Sequence, residues 1–386
     1  MSTAIALTGA RIFDGEAWLD GYALLIRAGL VEAVVREQDL PAACEQTRLG
    51  GVIAPGFVDL QVNGGGGYLL NDAPTAETIR TICAAHAPFG TTALLPTLVT
   101  DTRELTQAAI DAGIEASAAR VPGFLGLHLE GPHLSVKRKG AHDVNLIRPL
   151  DDTDMRMLLD TAARLPVLMV TVAPETVTPA QIAALSEGGV IVSLGHSETT
   201  FEQASQAIEA GARQVTHLFN AMSPLKHRDP GLVGAALEHG EVSAGLIADG
   251  IHVDRHAMAI ALRAKNGPGR IFLVTDAMAT IGTDMTEFTL NGRTIRRCDG
   301  RLTLEDGTLA GADLDMISAV RFIHEEIGLD FGEALRMASL YPARAVGQDQ
   351  RLGRIAEGAS ASLVNIADDG AVANVWIDGN HVHEAG

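Results

Sequence analysis

Glu130 in "HLEGPHL", His196 in "SLGHSETT" and His217 in "THLFNAM" place one carboxylate and two imidazoles at the ends of three separate apolar runs. Two histidines and a carboxylate are a common protein ligand set for a catalytic zinc or similar divalent ion, with one more position left for water. A lone histidine after a strand is more often a hydrogen-bonded structural residue; three such residues after three different runs weigh toward ligation. Asp276, in "FLVTDAM", follows a fourth run. A carboxylate beside metal-activated water can take its proton and later deliver it to a leaving nitrogen, acting first as general base and then as general acid. The competing reading of Asp276 is a helix N-cap, a position that Asp favours.

Groups so far apart in sequence act together only if the fold converges them, and residues 54–353 have the pattern to do so. Eight apolar, β-rich runs, "GFVDLQV", "TTALLPT", "GFLGLHLE", "PVLMVTVAP", "VIVSLGH", "QVTHLF", "SAGLIADG" and "RIFLVTDA", alternate with helical stretches such as "TAETIRTICAAHAPFG", "TFEQASQAIEAG" and "RHAMAIALRAKNG". That alternation implies parallel strands joined by right-handed crossovers, and eight units predict an α/β fold, the (β/α)8 TIM-type barrel. Buried parallel strands should read as continuous Val, Ile and Leu. Yet polar residues gather at their C-terminal ends: Gln61, Asn63, Glu130, His196, His217, Asp249, His252 and Asp276. A barrel keeps its active site at that end. Toward both chain ends the pattern changes to short alternating runs broken by glycine, the mark of antiparallel strands and tight turns. Residues 1–53 and 354–386 are therefore expected to build one small β-sandwich domain beside a catalytic barrel at 54–353.

With 386 residues, 47% hydrophobic and 20% charged, the chain can fill such a core and is not disordered. Its 29 Lys and Arg against 48 Asp and Glu give a net charge of -19, which repels nucleic acid and anionic lipid at long range. Neither nucleic acid nor membrane is an expected partner, and an anionic substrate would need positive charge supplied locally. Cys44, Cys83 and Cys298 show no CxxC spacing, so no disulfide framework or cysteine metal site is indicated. A secretory signal and an apolar run of ~18 residues are both missing, and a cytoplasmic location is expected.

The motifs "PGFVDLQVNG", "HLEGPHL", "KGAHD", "LGHSETT", "THLFNAMSPL", "ADGIHV" and "LVTDAM" occur in that order. Together, over nearly the whole chain, they resemble the N-acetylglucosamine-6-phosphate deacetylase family of the amidohydrolase superfamily. Many amidohydrolases carry H-x-H at the end of the first strand, where residues two apart share a face. Here the pair is Gln61 and Asn63, amides that are poor ligands for zinc-like ions. The resemblance implies one divalent metal ion per subunit, zinc ahead of iron, cobalt or manganese, held by Glu130, His196 and His217. Gln61 and Asn63 would then position water or substrate, although Asn63 also suits a turn before "GGGG".

The implied reaction is hydrolysis of the acetamide of N-acetyl-D-glucosamine 6-phosphate to D-glucosamine 6-phosphate and acetate, in amino sugar catabolism. Asp276 would be its base, and His142 would touch the sugar and help to hold the oxyanion. The resemblance also implies Arg228 and His252 as phosphate contacts reaching the neighbouring active site of a homodimer. Asn220 and Ala221 would form a loop whose backbone meets the phosphate, and Leu309 and Met316 would enclose the acetyl methyl. Without the resemblance, "PLKHRDP" reads as a solvated surface run and "GTLAGADLDM" as an ordinary loop and helix start. His128 either supports Glu130 from behind or simply packs. His133 stands where the family often has an aromatic residue, and is open between surface residue, substrate contact and adventitious ligand. The alternatives are the N-acetylgalactosamine 6-phosphate epimer or another N-acyl amino sugar, a cyclic-amide hydrolase or base deaminase disfavoured by the missing H-x-H, and a non-catalytic sugar-phosphate sensor on the same scaffold.

Overall fold

A computed structural model describes residues 4–41 and 44–385. Each of the eight apolar runs contains a strand of one parallel sheet: β1 (Phe57–Val62), β2 (Thr91–Val99), β3 (Leu127–Glu130), β4 (Leu168–Val172), β5 (Ile191–Leu194), β6 (Gln214–Val215), β7 (Ser243–Leu246) and β8 (Ile271–Leu273). The strands stand side by side in chain order, as a (β/α)8 barrel requires. Adjacent strands from β1 to β8 form parallel ladders; Glu130, for example, lies opposite Val99 on one side and Thr171 on the other. The closing seam is built differently. Between β8 and β1 there is a single bridge, Val62 with Ala277, flanked by hydrogen bonds from Asp276 N–H to the Gln61 carbonyl (3.0 Å) and from Asn63 N–H to the Ala277 carbonyl (2.8 Å).

Helices α1 (Ala76–His86), α2 (Arg103–Ala118), α3 (Asp152–Ala162), α4 (Pro179–Glu187), α5 (Phe201–Glu209), α6 (Gly231–Glu238), α7 (Arg255–Ala264) and α8 (Met316–Glu325) wrap the sheet. Their apolar faces join the strands in one core that includes Leu60, Leu94, Leu127, Val170, Leu194, Ile208 and Val320. Each such buried aliphatic side chain contributes about 1.5–3 kcal/mol. The helix starts are pinned by side-chain caps at Thr75, Thr102, Asp151, Thr178, Thr200, Asp254 and Asp315, each worth about 1 kcal/mol. Those caps fix where the strand-to-helix loops end, and so where residues just past each strand are held. No helix among the described residues is long and apolar enough to cross a membrane.

The two ends of the chain meet. One sheet of four strands uses Ile5–Thr8, Tyr22–Arg27, Leu30–Arg36 and Glu45–Arg48; a second, of six, joins N-terminal strands to Leu363–Ile366, Val372–Ile377 and Asn380–Glu384. In the second sheet Val364 pairs antiparallel with Ala54, and Ile12 lies beside Ile53. Leu7, Ile12, Leu24, Ile53, Leu363 and Trp376 form the apolar layer between the sheets. The boundary expected at 53–54 falls inside Val52–Pro55, a strand of this sheet that leads through Gly56 into β1. Residues 1–3, 42–43 and 386 of the expected terminal domain lie outside the described residues.

One element departs from the sequence reading. Between β8 and α8, strands Glu287–Leu290, Arg293–Cys298, Arg301–Thr303 and Leu309–Ala312 form a small antiparallel sheet. Within "GTLAGADLDM", Leu309–Ala312 is thus the last strand of a sheet rather than loop, while the expected helix start is there at Met316. Phe288, Leu290, Ile295, Leu302 and Ala310 pack from this sheet onto Leu69, Val99 and Met278 at the rim of the barrel.

Candidate active site

The residues singled out for chemistry converge at the C-terminal end of the barrel. Glu130 is the last residue of β3, while His196, His217 and Asp276 stand two or three residues beyond the ends of β5, β6 and β8. The last three have left-handed backbone, with φ of 46°, 26° and 51°. For residues with a Cβ this costs about 1–3 kcal/mol each, and the surrounding structure must hold it. Around His196 the restraints are visible: Ser135 N–H donates to its carbonyl (2.8 Å), Ser197 Oγ donates to Glu175 (2.7 Å), and Thr200 caps α5 four residues on. The left-handed turn aims each side chain back over the barrel mouth instead of outward along the strand.

The atoms that meet there suit a cation. Nε2 of His196 and Nε2 of His217 lie 3.0 Å apart, and they are 3.4 and 3.2 Å from Glu130 Oε1. His196 Nδ1 donates to the Arg138 carbonyl (2.8 Å), which fixes the ring with Nε2 turned toward its two neighbours. Two imidazole nitrogens and a carboxylate oxygen crowded in this way fit a divalent ion. Glu130, His142 and His196 also lie within 4.8 Å of one another. His217 is the better third member, since its Nε2 meets the same carboxylate oxygen as His196, whereas His142 Nε2 is 3.6 Å from the other oxygen, Oε2. Burial alone would raise Glu130, but hydrogen bonds from His196 and His217 hold it well below the usual carboxylate range.

Gln61 and Asn63 do not join the cluster as anions. Asn63 Nδ2 donates to Asp276 Oδ1 (2.7 Å), and Gln61 Nε2 donates both to that oxygen (3.1 Å) and to Glu130 Oε1 (2.9 Å). Gln61 thereby ties the candidate base to the ligand cluster, and Asn63 anchors the base alone. Both fall on Oδ1 and leave Oδ2 for proton transfer. Burial, followed by the charge of Glu130, raises Asp276 to about 6. No helix starts at Asp276: its carbonyl accepts from Ala312 N–H, and the cap of α8 is Asp315.

His142 lines the site and is fixed by Thr100. Its Nδ1 lies 2.8 Å from Thr100 Oγ1, and that hydroxyl donates its only proton to the Glu130 carbonyl (3.1 Å). Nδ1 must therefore carry the His142 proton, while burial holds the ring's pKa down at about 3. In that tautomer Nε2 faces the cavity as an acceptor, suited to a substrate hydroxyl.

A cavity of about 370 Å³ opens over these groups, lined by Asn63, Glu130, His142, His196, His217 and Asp276. Asn220, Ala221 and Leu309 line it as well, and so does His252, which was expected at a neighbouring subunit's site but lies on the cavity of its own chain, its Nδ1 anchored to Asp249 at 2.6 Å. Met316, expected at the acetyl methyl, lies elsewhere, and Arg228 was expected at a neighbouring subunit's site rather than at this one. Met316 opens α8 and is packed in the barrel core. Arg228 is exposed on the turn after His217 and does not line the cavity of its own chain. His128 is buried beneath Glu130, between Thr97 (3.3 Å) and Thr171 (2.7 Å), and the hydrogen-bonded line continues through Thr216 to Ser193. His133 is also buried, bonded to the Arg148 carbonyl and 3.9 Å from Asp154, away from the cavity. Residues the sequence reading passed over include Thr100, Lys137 and Arg138. The two cations stand in "VKRKG" just ahead of His142, where the run itself was the available signal, and they bring local positive charge to the cavity wall.

Comparison with known proteins agrees with this geometry. Residues 52–382 match the Amidohydrolase family and residues 5–53 the NagA composite domain. The N-acetylgalactosamine-6-phosphate deacetylase of Shewanella sp. (strain ANA-3) is 46% identical over 338 residues, 87% of this chain and 84% of that one. The N-acetylglucosamine-6-phosphate deacetylase of Haemophilus influenzae is 33% identical over 97% of this chain and 98% of its own. The crystal structure of N-acetylglucosamine-6-phosphate deacetylase from Pasteurella multocida superposes with a TM-score of 0.95 at 35% identity, covering 99% of this chain and all of the other.

Proposed function

Because the chain belongs to the amidohydrolase family, we propose that it hydrolyses the acetamide of N-acetyl-D-glucosamine 6-phosphate, releasing acetate and D-glucosamine 6-phosphate in amino sugar catabolism. The observation that carries this reading is the convergence of Glu130, His196 and His217, whose ligating atoms lie within 3.4 Å, beside an Asp276 carboxylate anchored by two amides. Glu130, His196 and His217 would hold one divalent ion, zinc in the first instance. Such an ion polarises the acetyl carbonyl and lowers the pKa of water.

The chain's own groups do the rest. Asp276 Oδ2 takes the proton of the attacking water and returns it to the sugar nitrogen as the C–N bond breaks. Asn63 and Gln61 keep Oδ1 fixed while that proton moves. His142 Nε2 accepts from a sugar hydroxyl and sets the ring's orientation. Leu309 supplies an apolar surface for the methyl. The phosphate would be met by His252, by the backbone at Asn220 and Ala221, and by Arg228 from a second subunit, since Arg228 does not line its own cavity. Phosphate binding far from the scissile bond is a source of both affinity and orientation. Three free cysteines suit a reducing, cytoplasmic setting.

The experiment is acetate release from N-acetylglucosamine 6-phosphate by the zinc-loaded protein and by Asp276→Asn. A fall in kcat of about 10²- to 10⁴-fold is expected for the variant. A fully active variant would remove Asp276 from its role, and an inactive parent would end the deacetylase reading. The N-acetylgalactosamine 6-phosphate epimer is a second reading, favoured by the 46% identity to the Shewanella protein; the ratio of kcat/KM on the two sugars decides between them.

A further inference from the structure

Asp59 is a fully buried carboxylate that the proposed reaction does not use. It sits on β1 two residues before Gln61, and its three hydrogen-bond donors come from just two places. Thr275 gives its Oγ1 (2.6 Å) and its N–H (3.3 Å), and Gln61 gives its N–H (3.2 Å). Thr275 directly precedes Asp276. The carboxylate therefore holds the backbone of Gln61 and of the residue immediately before Asp276, and the side chains of Gln61 and Asp276 meet at Asp276 Oδ1. It does so at the seam where β8 and β1 share one bridge in place of a ladder. A buried charge is costly unless it is hydrogen-bonded, and burial pushes Asp59 up to about 7. An apolar residue here would close the barrel at less cost but could accept none of these three bonds.

We propose that Asp59 is a positioning residue for the hydrolysis, setting the separation between the Gln61 amide and the Asp276 carboxylate across the seam. The inference rests on the assignment of Asp276 as the base. Displacing a base by about 1 Å can lower turnover 10²-fold without changing how substrate is held, so Asp59 acts on kcat rather than KM.

The test uses the metal-loaded parent enzyme with Asp59→Ala, Asp59→Asn and Thr275→Val, measuring kcat per bound metal, KM, Tm and a crystal structure of each variant. Asp59→Ala is expected to lower kcat per metal roughly 10- to 100-fold, with KM within about twofold, and to lengthen the Gln61 Nε2 to Asp276 Oδ1 contact from 3.1 Å. Asp59→Asn should recover to within about threefold of the parent, because an amide oxygen can accept from both N–H groups while the Thr275 hydroxyl turns to accept from the amide. Thr275→Val removes one donor only, and an intermediate loss of roughly 3- to 10-fold is expected; this variant carries the test if Asp59→Ala fails to fold. Turnover per metal within twofold of the parent in Asp59→Ala and Thr275→Val would overturn the proposal, whatever happens to Tm. An unchanged Gln61–Asp276 contact in the variant crystals would do the same. A parent that releases no acetate is a different result: it strikes the deacetylase reading, while the contact distance still judges Asp59.

Discussion

At the scale of single residues, the chemistry depends on which atoms carry protons. Asp276 must be ionised to act as a base, and its carboxyl is raised to about 6 by burial and by Glu130, while a bound cation works in the opposite direction. Activity should fall as pH drops, with the acid limb of kcat/KM at or below pH 6, and Asp276→Asn should abolish that limb along with most of the rate. A limb well above pH 7 would assign it to another group. Gln61→Leu should keep its bulk but lose both donor contacts, to Glu130 and Asp276. Leaving two buried acceptors short costs about 1–3 kcal/mol each, so a loss of roughly 10- to 100-fold in kcat is expected in steady-state assays. Glu130, His196, His217 and Asp276 were legible in the sequence because charged groups interrupt runs that are otherwise apolar. The tautomer of His142 was not. It follows from Thr100, an unremarkable β-branched residue on a strand end, whose meaning appears only when its hydroxyl is found between His142 and the Glu130 carbonyl.

At the scale of elements, the loop from β3 to α3 is the part that shapes the site. It brings the Arg138 carbonyl to His196 and sets Gly140 with φ of 55°, where an added Cβ would sit 3.2 Å from His196 Cε1. Gly140→Ala should therefore strain the backbone and press on a ligand at once. Metal affinity, followed by titration against a chelator, is expected to weaken roughly 10-fold or more. Gly358→Ala, at φ of 81° with open space around it, should cost about 1 kcal/mol of stability and leave metal affinity alone. The eight barrel strands could be read from composition because their interiors are buried on both faces. Helix α6 escaped that reading: "GLVGAAL" is buried all round and shows no polar stripe to reveal a helical period. The rim sheet at 287–312 was missed for the opposite reason. Its arginine-rich strands look like surface loop, although Glu287–Leu290 alternates exposed and buried residues as a half-covered strand should.

At the scale of the whole molecule, a net charge of -19 sets the chain against anionic substrates except where Lys137 and Arg138 line the cavity. If Arg228 serves a neighbouring subunit, mixing two inactive variants should restore activity. Arg228→Ala retains a good Asp276 and Asp276→Asn retains a good Arg228, so each mixed dimer holds one complete site. Recovery of activity after co-refolding would place Arg228 across an interface, and none after verified exchange would confine its action to its own subunit. The joining of both chain ends in one sheet was legible as matching glycine-punctuated patterns. The seam of the barrel was not, since nothing in "VDLQV" or "VTDAM" states that these two segments will touch. The pairing of Val364 with Ala54 also bears on how the protein is made. On the ribosome the edge of Val52–Pro55 must wait for its partner until the entire barrel has been translated, a delay of roughly a quarter of a minute to a minute. During that interval a naked strand edge is open to capture by other nascent chains, and chaperone dependence in the cell should be sought there.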